Sequence, residues 1–126
     1  MAGTIVADTI QDGAGNSTSM DNAIYGSAKA WVRYNGVAQT ITSSYNVSSV
    51  TYSSAGNYIV NFTTAFADAN YSVSASAASA GSTQVAVMPF TNAFVVATAT
   101  ASALPISTAY YSAVINSTVV CVSVFR

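Results

Sequence analysis

The sequence predicts an all-β protein, an antiparallel β-sandwich of about eight strands, on the basis of three observations. Short segments of β-branched and aromatic residues recur along the chain, and many of them alternate apolar with polar side chains. Turn-forming residues separate these segments at intervals of roughly 8 to 12 residues, which is typical of sandwiches and barrels. No stretch has the apolar spacing of a long amphipathic helix. We therefore expect a jelly-roll-like body over residues 27–126, preceded by an extended N-terminal arm, residues 1–26.

The arm differs in composition from the body. A short apolar run at 4–7 could pair as a strand, and the turn-rich segment 11–17 follows it. Three of the four acidic residues lie in the arm: Asp8, Asp12 and Asp21. Aspartates in such a segment ordinarily stabilise turns, and a calcium site made by Asp12, Asn16 and Asp21 is the sharper alternative. We expect the arm to pack on the body or on a neighbouring subunit.

The first strand of the body is predicted between Ala28 and the turn signal Asn35–Gly36. Four residues of this strand point into the core: Ala28, Ala30, Val32 and Tyr34. The opposite face carries Lys29, Trp31 and Arg33, so that an indole lies between two cations. We expect this face to be a subunit interface that meets the acidic arm of a neighbour, with cation–π contact to Trp31. In the alternative interpretation Trp31 packs within its own subunit and both cations reach water.

The later strands follow in order. Segments 45–52 and 58–63 flank a turn and predict a hairpin, with Tyr58, Val60 and Phe62 on its core face. Segment 71–77 alternates apolar residues with serine, which favours a strand over a helix in its Ala-rich part. Pro89 ends the next strand or marks it as an edge. The remaining predicted strands are 40–42, 84–88, 94–100, 110–115 and 118–125.

The scarcity of charge limits the partners of the protein. Charged residues make up 6 % of the chain, against roughly 25 % in typical globular proteins. Three cations are too few for the phosphate contacts that nucleic-acid binding needs. No apolar run approaches the ~18 residues of a spanning helix, so we expect no membrane insertion. So little charge favours a surface buried against partners, as in an oligomer or a larger assembly.

The residue types that most enzymes depend on are missing. The chain contains no histidine and no glutamate, which removes the usual general base and the commonest metal ligand. No phosphate-binding Gly-rich loop and no Gly-x-Ser-x-Gly motif occurs. Cys121 lies among valines and is expected to be a buried, inert thiol. We expect a protein that is not an enzyme and has neither a cofactor nor a metal site.

Five segments of the sequence and the pair Asn35–Gly36 together carry a family resemblance. The segments are GTIVADTIQDGAGN at 3–16, GSAKAWV at 26–32, YNVSSV at 45–50, YIVNFTT at 58–64 and DANY at 68–71. They resemble a module of the tail-fibre and other virion proteins of tailed bacteriophages, cyanophages among them. The resemblance extends to about residue 75, and the remainder is similar only in its alternating strands.

The resemblance implies a non-enzymatic virion protein that is often a homotrimer and often lies at the host-contacting tip of a fibre. Here the module is nearly the whole chain, with no shaft, coiled coil or long repeat. We therefore expect a short tail-fibre or fibre-tip component on the tail or head exterior that contacts a host surface glycan or protein. The alternative is a capsid decoration or tail/neck connector protein that binds other virion proteins. A secreted bacterial adhesin subunit is a further alternative, and the absence of a recognisable signal sequence counts against it.

Receptor contacts are expected from aromatic and amide side chains in predicted loops, because these suit sugar and protein ligands. The candidates are Tyr52, Phe90, Asn92, Tyr110 and Tyr111. The alternative for each of them is a core or turn residue.

Overall fold

The computed structural model describes residues 3, 6–79, 85–92 and 95–126, and only the backbone of residues 21 and 22. Strands pair antiparallel throughout the described chain, and the predicted all-β sandwich is confirmed. The elements are β1 (Thr9–Gln11), β2 (Ser17–Ser19), α1 (Met20–Gly26), β3 (Ala30–Asn35), β4 (Thr40–Tyr45), β5 (Val47–Ser54), β6 (Asn57–Phe62), β7 (Ser72–Ala78), β8 (Ala86–Pro89), β9 (Thr91–Asn92), β10 (Val95–Val96), β11 (Ala103–Tyr110), β12 (Ala113–Val114) and β13 (Val119–Phe125).

The number of strands is larger than the predicted eight, since the described residues form thirteen. Eight of these have four or more residues and build the two main sheets, whereas β1, β2, β9, β10 and β12 have only two or three residues each. A strand of two or three residues is too short to show an alternation of apolar and polar side chains, so it cannot be predicted from that alternation.

Two sheets pack against each other. The β3 sheet has the strand order β4-β3-β13-β7. The β6 sheet consists of β5, β6 and β11 in that order, with β8 on the far side of β11 and β12 beside the end of β11. β8 pairs within the described chain only with β11, so the strand that ends at Pro89 is an edge strand, as the proline predicts.

The core lies between the two sheets and consists of the alternate residues that the sequence places on inward faces. Tyr58, Val60 and Phe62 of β6 are buried, and so are Val32 and Tyr34 of β3. The rings of Tyr34 and Tyr58 meet edge to face across the core, with centroids 5.3 Å apart. Residues of β11 and β13 complete the core: Leu104, Ile106, Val120, Val122 and Val124. These buried apolar side chains supply the main driving force for folding.

Antiparallel pairing gathers the connecting turns at two ends of the sandwich. The end that we call the turn end carries the β3–β4, β5–β6 and β11–β12 turns. Backbone hydrogen bonds tie these turns together: Gly36 N–H donates to Ser117 O at 2.8 Å and Thr108 N–H donates to Gly56 O at 2.7 Å. The turn end is therefore one connected surface rather than a set of separate loops.

The arm is not the continuous extended segment that its composition predicts. β1 and β2 form a hairpin, and α1 follows directly as a helix of seven residues. A helix of seven residues is too short to show the apolar stripe by which a helix is predicted. Ser19 before α1 and Gly26 at its end are nevertheless typical helix-boundary residues. Of the strand predicted at 4–7, residues 4 and 5 lie outside the described residues, while Val6 and Ala7 are not in a strand.

Candidate functional site

The most exposed tyrosine of the described chain lies at the tip of the β11–β12 hairpin. Tyr110 pairs with Ala113, so Tyr111 and Ser112 form a two-residue connection. The side chain of Tyr111 is 81 % exposed. Its ring meets the ring of half-buried Tyr110 edge to face, with centroids 4.4 Å apart and planes at 71°. We call this pair of rings the tyrosine tip.

The backbone of Tyr111 is strained. Its φ angle is +52°, in the left-handed region that side chains with a Cβ rarely adopt. The first central position of a two-residue hairpin turn with positive φ is ordinarily glycine. A bulky residue in this region costs about 1 kcal/mol or more. Because the Tyr111 ring points into solvent, packing in the core does not offset that cost.

The turn end is free of formal charge. No Asp, Glu, Lys or Arg occurs between residues 69 and 125, and the β3–β4 and β5–β6 turns have none either. The polar groups at this end are hydroxyls and amides, for example those of Ser112 and of the exposed Gln39. Such a surface can stack on a ligand and form hydrogen bonds with it, but it has no charge with which to attract an anion.

A partly buried polar network supports the strands below the tyrosine tip. Asn116 Oδ1 accepts hydrogen bonds from Gly56 N–H at 2.7 Å and from the Tyr58 hydroxyl at 3.0 Å. Thr108 Oγ donates to Ile115 O on the strand that returns from the tip. Burial raises the pKa of Tyr58 further above its ordinary value, and its hydroxyl is a donor at neutral pH, as in any tyrosine. The two strands below the tip are thus fixed before any ligand arrives, which reduces the entropic cost of binding.

The other predicted receptor residues do not join the tip equally. Tyr52 lies on β5 at the same end, 36 % exposed, with its ring centroid 6.0 Å from that of Tyr58. Asn92 is exposed on β9, outside the turn end. Phe90 does not join the tip, because its ring stacks on buried Tyr71 with centroids 5.9 Å apart and packs against the core. Phe90 is partly buried against the core, so less of its ring is accessible to a ligand than that of Tyr111.

A second exposed aromatic group lies on the outer face of the β3 sheet. Trp31 is 38 % exposed and stands directly opposite Tyr45 of β4, which is 60 % exposed. Arg33 is exposed on the same face, one pair further along. We call Trp31, Arg33 and Tyr45 the aromatic face. Tyr45 was not among the predicted interface residues, because its place opposite Trp31 depends on the register of β4 against β3.

Cys121 also borders the aromatic face. It is the cross-strand partner of Arg33 and is half-buried, not fully buried as predicted. The valines on either side of Cys121 point into the core, and strand alternation therefore turns its thiol outward.

Lys29 does not share the free cationic face that the sequence predicts. Its ammonium group donates to Ile24 O at the C-terminal end of α1 and to Ser27 Oγ at 2.7 Å. A cation at this end of a helix pairs with unsatisfied carbonyls and with the negative end of the helix dipole. Lys29 therefore anchors the arm to its own subunit, and Arg33 is the exposed cation of the aromatic face.

The acids of the arm have different roles. Asp12 Oδ1 accepts from the backbone N–H groups of Ala14 and Asn16, each at 2.9 Å, and Oδ2 accepts from Asn16 Nδ2 at 2.8 Å. These bonds, above all the one from the Asn16 side chain, lower the pKa of Asp12. Asp12 is thus a turn residue of the β1–β2 hairpin. Asp8 is exposed, and the side chain of Asp21 lies outside the described residues.

No ion pair joins the arm to β3 within the described residues. The ion pair found there links Arg126 to Asp68, with Nη2 and Oδ2 2.5 Å apart, at the end of the sandwich opposite the turn end. Over the same residues, no group of three or more Cys, Asp or Glu side chains is placed to hold a metal ion. Among the described residues, no helix is long and apolar enough to cross a membrane.

Comparisons of the chain with protein-family models, with curated proteins and with solved structures gave no match.

Proposed function

We propose that this protein is a non-enzymatic structural component of a phage virion, a short tail fibre or fibre tip that contacts the host surface through its tyrosine tip. Two properties of the chain support this proposal. The segments within residues 3–71 resemble the virion modules of tailed phages. The fold is a single sandwich whose turns are tied together by backbone hydrogen bonds, and a rigid base of this kind suits an attachment loop.

The observation that carries the proposal is the exposed, strained tyrosine at a charge-free end. Backbone strain persists where the surrounding structure enforces it, and it concentrates at binding sites. Glycine at position 111 would relieve the strain, and an exposed ring contributes little to folding. A tyrosine ring at this strained and exposed position is explained if the ring contacts a ligand.

The chemistry of the turn end favours a neutral carbohydrate as the host ligand. Aromatic rings present flat apolar faces on which the C–H faces of sugar rings can stack, and neighbouring hydroxyls and amides can bond to sugar hydroxyls. Acidic polysaccharides, phosphates and charged peptides are disfavoured because no cation or anion lies between residues 69 and 125 to complement them.

The proposal can be tested by competition for host cells. Purified protein is expected to bind host cells and to reduce adsorption of the phage in a concentration-dependent manner. Neutral sugars prepared from the host surface are expected to reverse this effect, whereas charged oligosaccharides of similar size are not. Protein that neither binds the cells nor alters adsorption would contradict the attachment function. Binding that no carbohydrate reverses would contradict only the choice of ligand.

A capsid decoration or connector protein is the second candidate, and the exposed arm favours it. Val6 and Tyr25 are 93 % and 67 % exposed, so the arm offers apolar surface to another virion protein. This function predicts labelling of heads or necks by an antibody against the protein. Labelling confined to the distal end of the tail would exclude it.

A further inference from the structure

Among the described residues of the N-terminal arm, no side chain belongs to the buried core of its own chain. Both strands of its hairpin are largely exposed, and β2 contacts β1 and, to a lesser extent, α1. Apolar side chains of the arm point into solvent: Val6, Ile10, Ile24 and Tyr25. An isolated two-stranded hairpin is marginally stable in water. The arm therefore gains stability from any surface that covers its apolar side chains.

The aromatic face complements the arm in both polarity and charge. Trp31 and Tyr45 supply exposed aromatic area, and Arg33 has no ion pair within the described chain. Asp8 of the arm is exposed and likewise has no ion pair there. Opposite charges across a contact set its register and exclude wrong partners.

In this conformation the arm does not cover the aromatic face of its own subunit, since Trp31, Arg33 and Tyr45 are all exposed. Only residues 27–29 separate α1 from β3, a span of at most ~10 Å. The bonds from Lys29 to Ile24 and Ser27 hold the end of α1 beside the start of β3. Met20 N–H donates to Asp8 O at 2.9 Å, so the hairpin is in turn held at the other end of α1. The aromatic face is left exposed to a different molecule.

We infer that the arm of one copy docks on the aromatic face of a second copy, with Asp8 opposite Arg33. The contact uses two different surfaces of the same chain. It is therefore head-to-tail and closes into a ring, such as a trimer, when the rotation per subunit permits. In that assembly Trp31 and Tyr45 lie under the apolar side of the arm. This inference is independent of the ligand at the tyrosine tip, which lies at the far end of the sandwich.

A charge swap in the full chain tests the inference. The mass in solution, measured by light scattering over a range of concentrations, is expected to show an oligomer for the natural sequence. Arg33→Asp or Asp8→Arg alone is expected to raise the dissociation constant about tenfold or more, because like charges then face each other. The double variant is expected to recover most of the loss. Arg126→Ala, which removes a cation that pairs within its own chain, serves as the control and should assemble normally.

The natural thiol of Cys121 gives a second readout. Ile10→Cys places another thiol on the arm, and a short bismaleimide is expected to link it to Cys121 of a second copy. The link should be lost when Cys121→Ser is added. It should also be absent in Val37→Cys, where the substituted side chain is 57 % exposed but lies at the turn end. A monomer at all concentrations, single charge variants that assemble normally, a link within one chain or a link that does not need Cys121 would each overturn the inference.

Discussion

Two turns lie side by side at the turn end, and each has a residue with positive φ. The β5–β6 turn has Gly56 at +70°, and the β11–β12 turn has Tyr111 at +52°. A Cβ on Gly56 would lie 2.6 Å from Ile115 N and 2.7 Å from Thr108 O, so the fold itself requires glycine there. Tyr111 points into solvent, where the fold requires nothing of its side chain. The positive φ thus has a structural cause in one turn, whereas nothing in the fold requires a tyrosine in the other.

The largest effect is expected when the turn that the fold requires is changed. Gly56→Ala should lower the free energy of unfolding by about 3 kcal/mol or more, because the added methyl group meets backbone atoms that cannot move aside and because alanine is strained at this φ. The melting temperature should fall by ~10 °C. Gly13→Ala is the control, since a Cβ at Gly13 meets nothing within 4 Å. Equal stability of the two variants would contradict the structural role of Gly56.

The network that links the two turns should show the next largest effect. Asn116→Ala removes the acceptor shared by Gly56 N–H and the Tyr58 hydroxyl, and two donors then lose their partner. We expect a loss of about 2 kcal/mol. Tyr58→Phe removes one of the two bonds and should cost about 1 kcal/mol. Chemical unfolding measures both changes. A Tyr58→Phe variant less stable than Asn116→Ala would contradict the shared-acceptor interpretation.

Tyr34→Phe provides a contrast within the same region. The Tyr34 hydroxyl is buried and has no protein partner within the described chain. Its removal should leave stability unchanged or raise it by up to about 1 kcal/mol, because a buried hydroxyl without a partner opposes folding. Unfolding curves of the two variants should be recorded together. The curve of Tyr58→Phe should shift towards lower stability, whereas that of Tyr34→Phe should stay unchanged or shift towards higher stability. Destabilisation by Tyr34→Phe comparable to that by Tyr58→Phe would argue against this difference.

The tip itself should respond weakly and in an unusual direction. Tyr111→Gly relieves the φ strain but loses the contact with Tyr110, so stability should stay within about 0.5 kcal/mol of the natural protein. Tyr111→Ala loses the ring and keeps the strain, and it should be less stable than Tyr111→Gly by about 1 kcal/mol. Thermal unfolding of the three proteins tests this order. A Tyr111→Gly variant less stable than Tyr111→Ala would contradict the strain at this position, and two variants well below the natural protein would show that the ring stabilises the fold.

The smallest effect concerns the β1–β2 turn of the arm, whose conformation depends on the carboxylate of Asp12. The hydrogen bonds of Asp12 lower its pKa in the folded hairpin. The stabilisation is therefore fully present above the pKa of an unfolded aspartate, about 4, and is lost as the pH falls through the lower folded value. We expect the amide NMR signals of Ala14 and Asn16 to shift at acidic pH while signals of the sandwich stay constant. Asp12→Asn should abolish this response, and its persistence in that variant would contradict the assignment to Asp12.

The sequence predicted what depends on repeated patterns. The alternation at Tyr58, Val60 and Phe62 and the signal at Asn35–Gly36 identified the core face and the turn, because burial and turn chemistry act on local residue types. The strain at Tyr111 had no signal, since the turn Tyr-Ser contains none of the usual turn residues at its first position.

Features that depend on contacts between residues distant in sequence could not be predicted either. The bond from Lys29 to the end of α1 removed this cation from the expected interface, and a stack on Tyr71 placed Phe90 against the core. Strand alternation gave the direction of the Lys29 side chain but not the helix end that lies beside it. Such outcomes follow from packing rather than from residue type or spacing.

Binding of Tyr111→Gly to host cells, measured beside the natural protein, tests the proposed function most directly. Because this variant should fold with nearly unchanged stability, a loss of binding can be assigned to the ring alone. We expect at least a tenfold weaker interaction, consistent with the loss of one stacked ring in a largely desolvated contact. Unchanged binding by a stably folded Tyr111→Gly protein would contradict the assignment of the tyrosine tip as the attachment site.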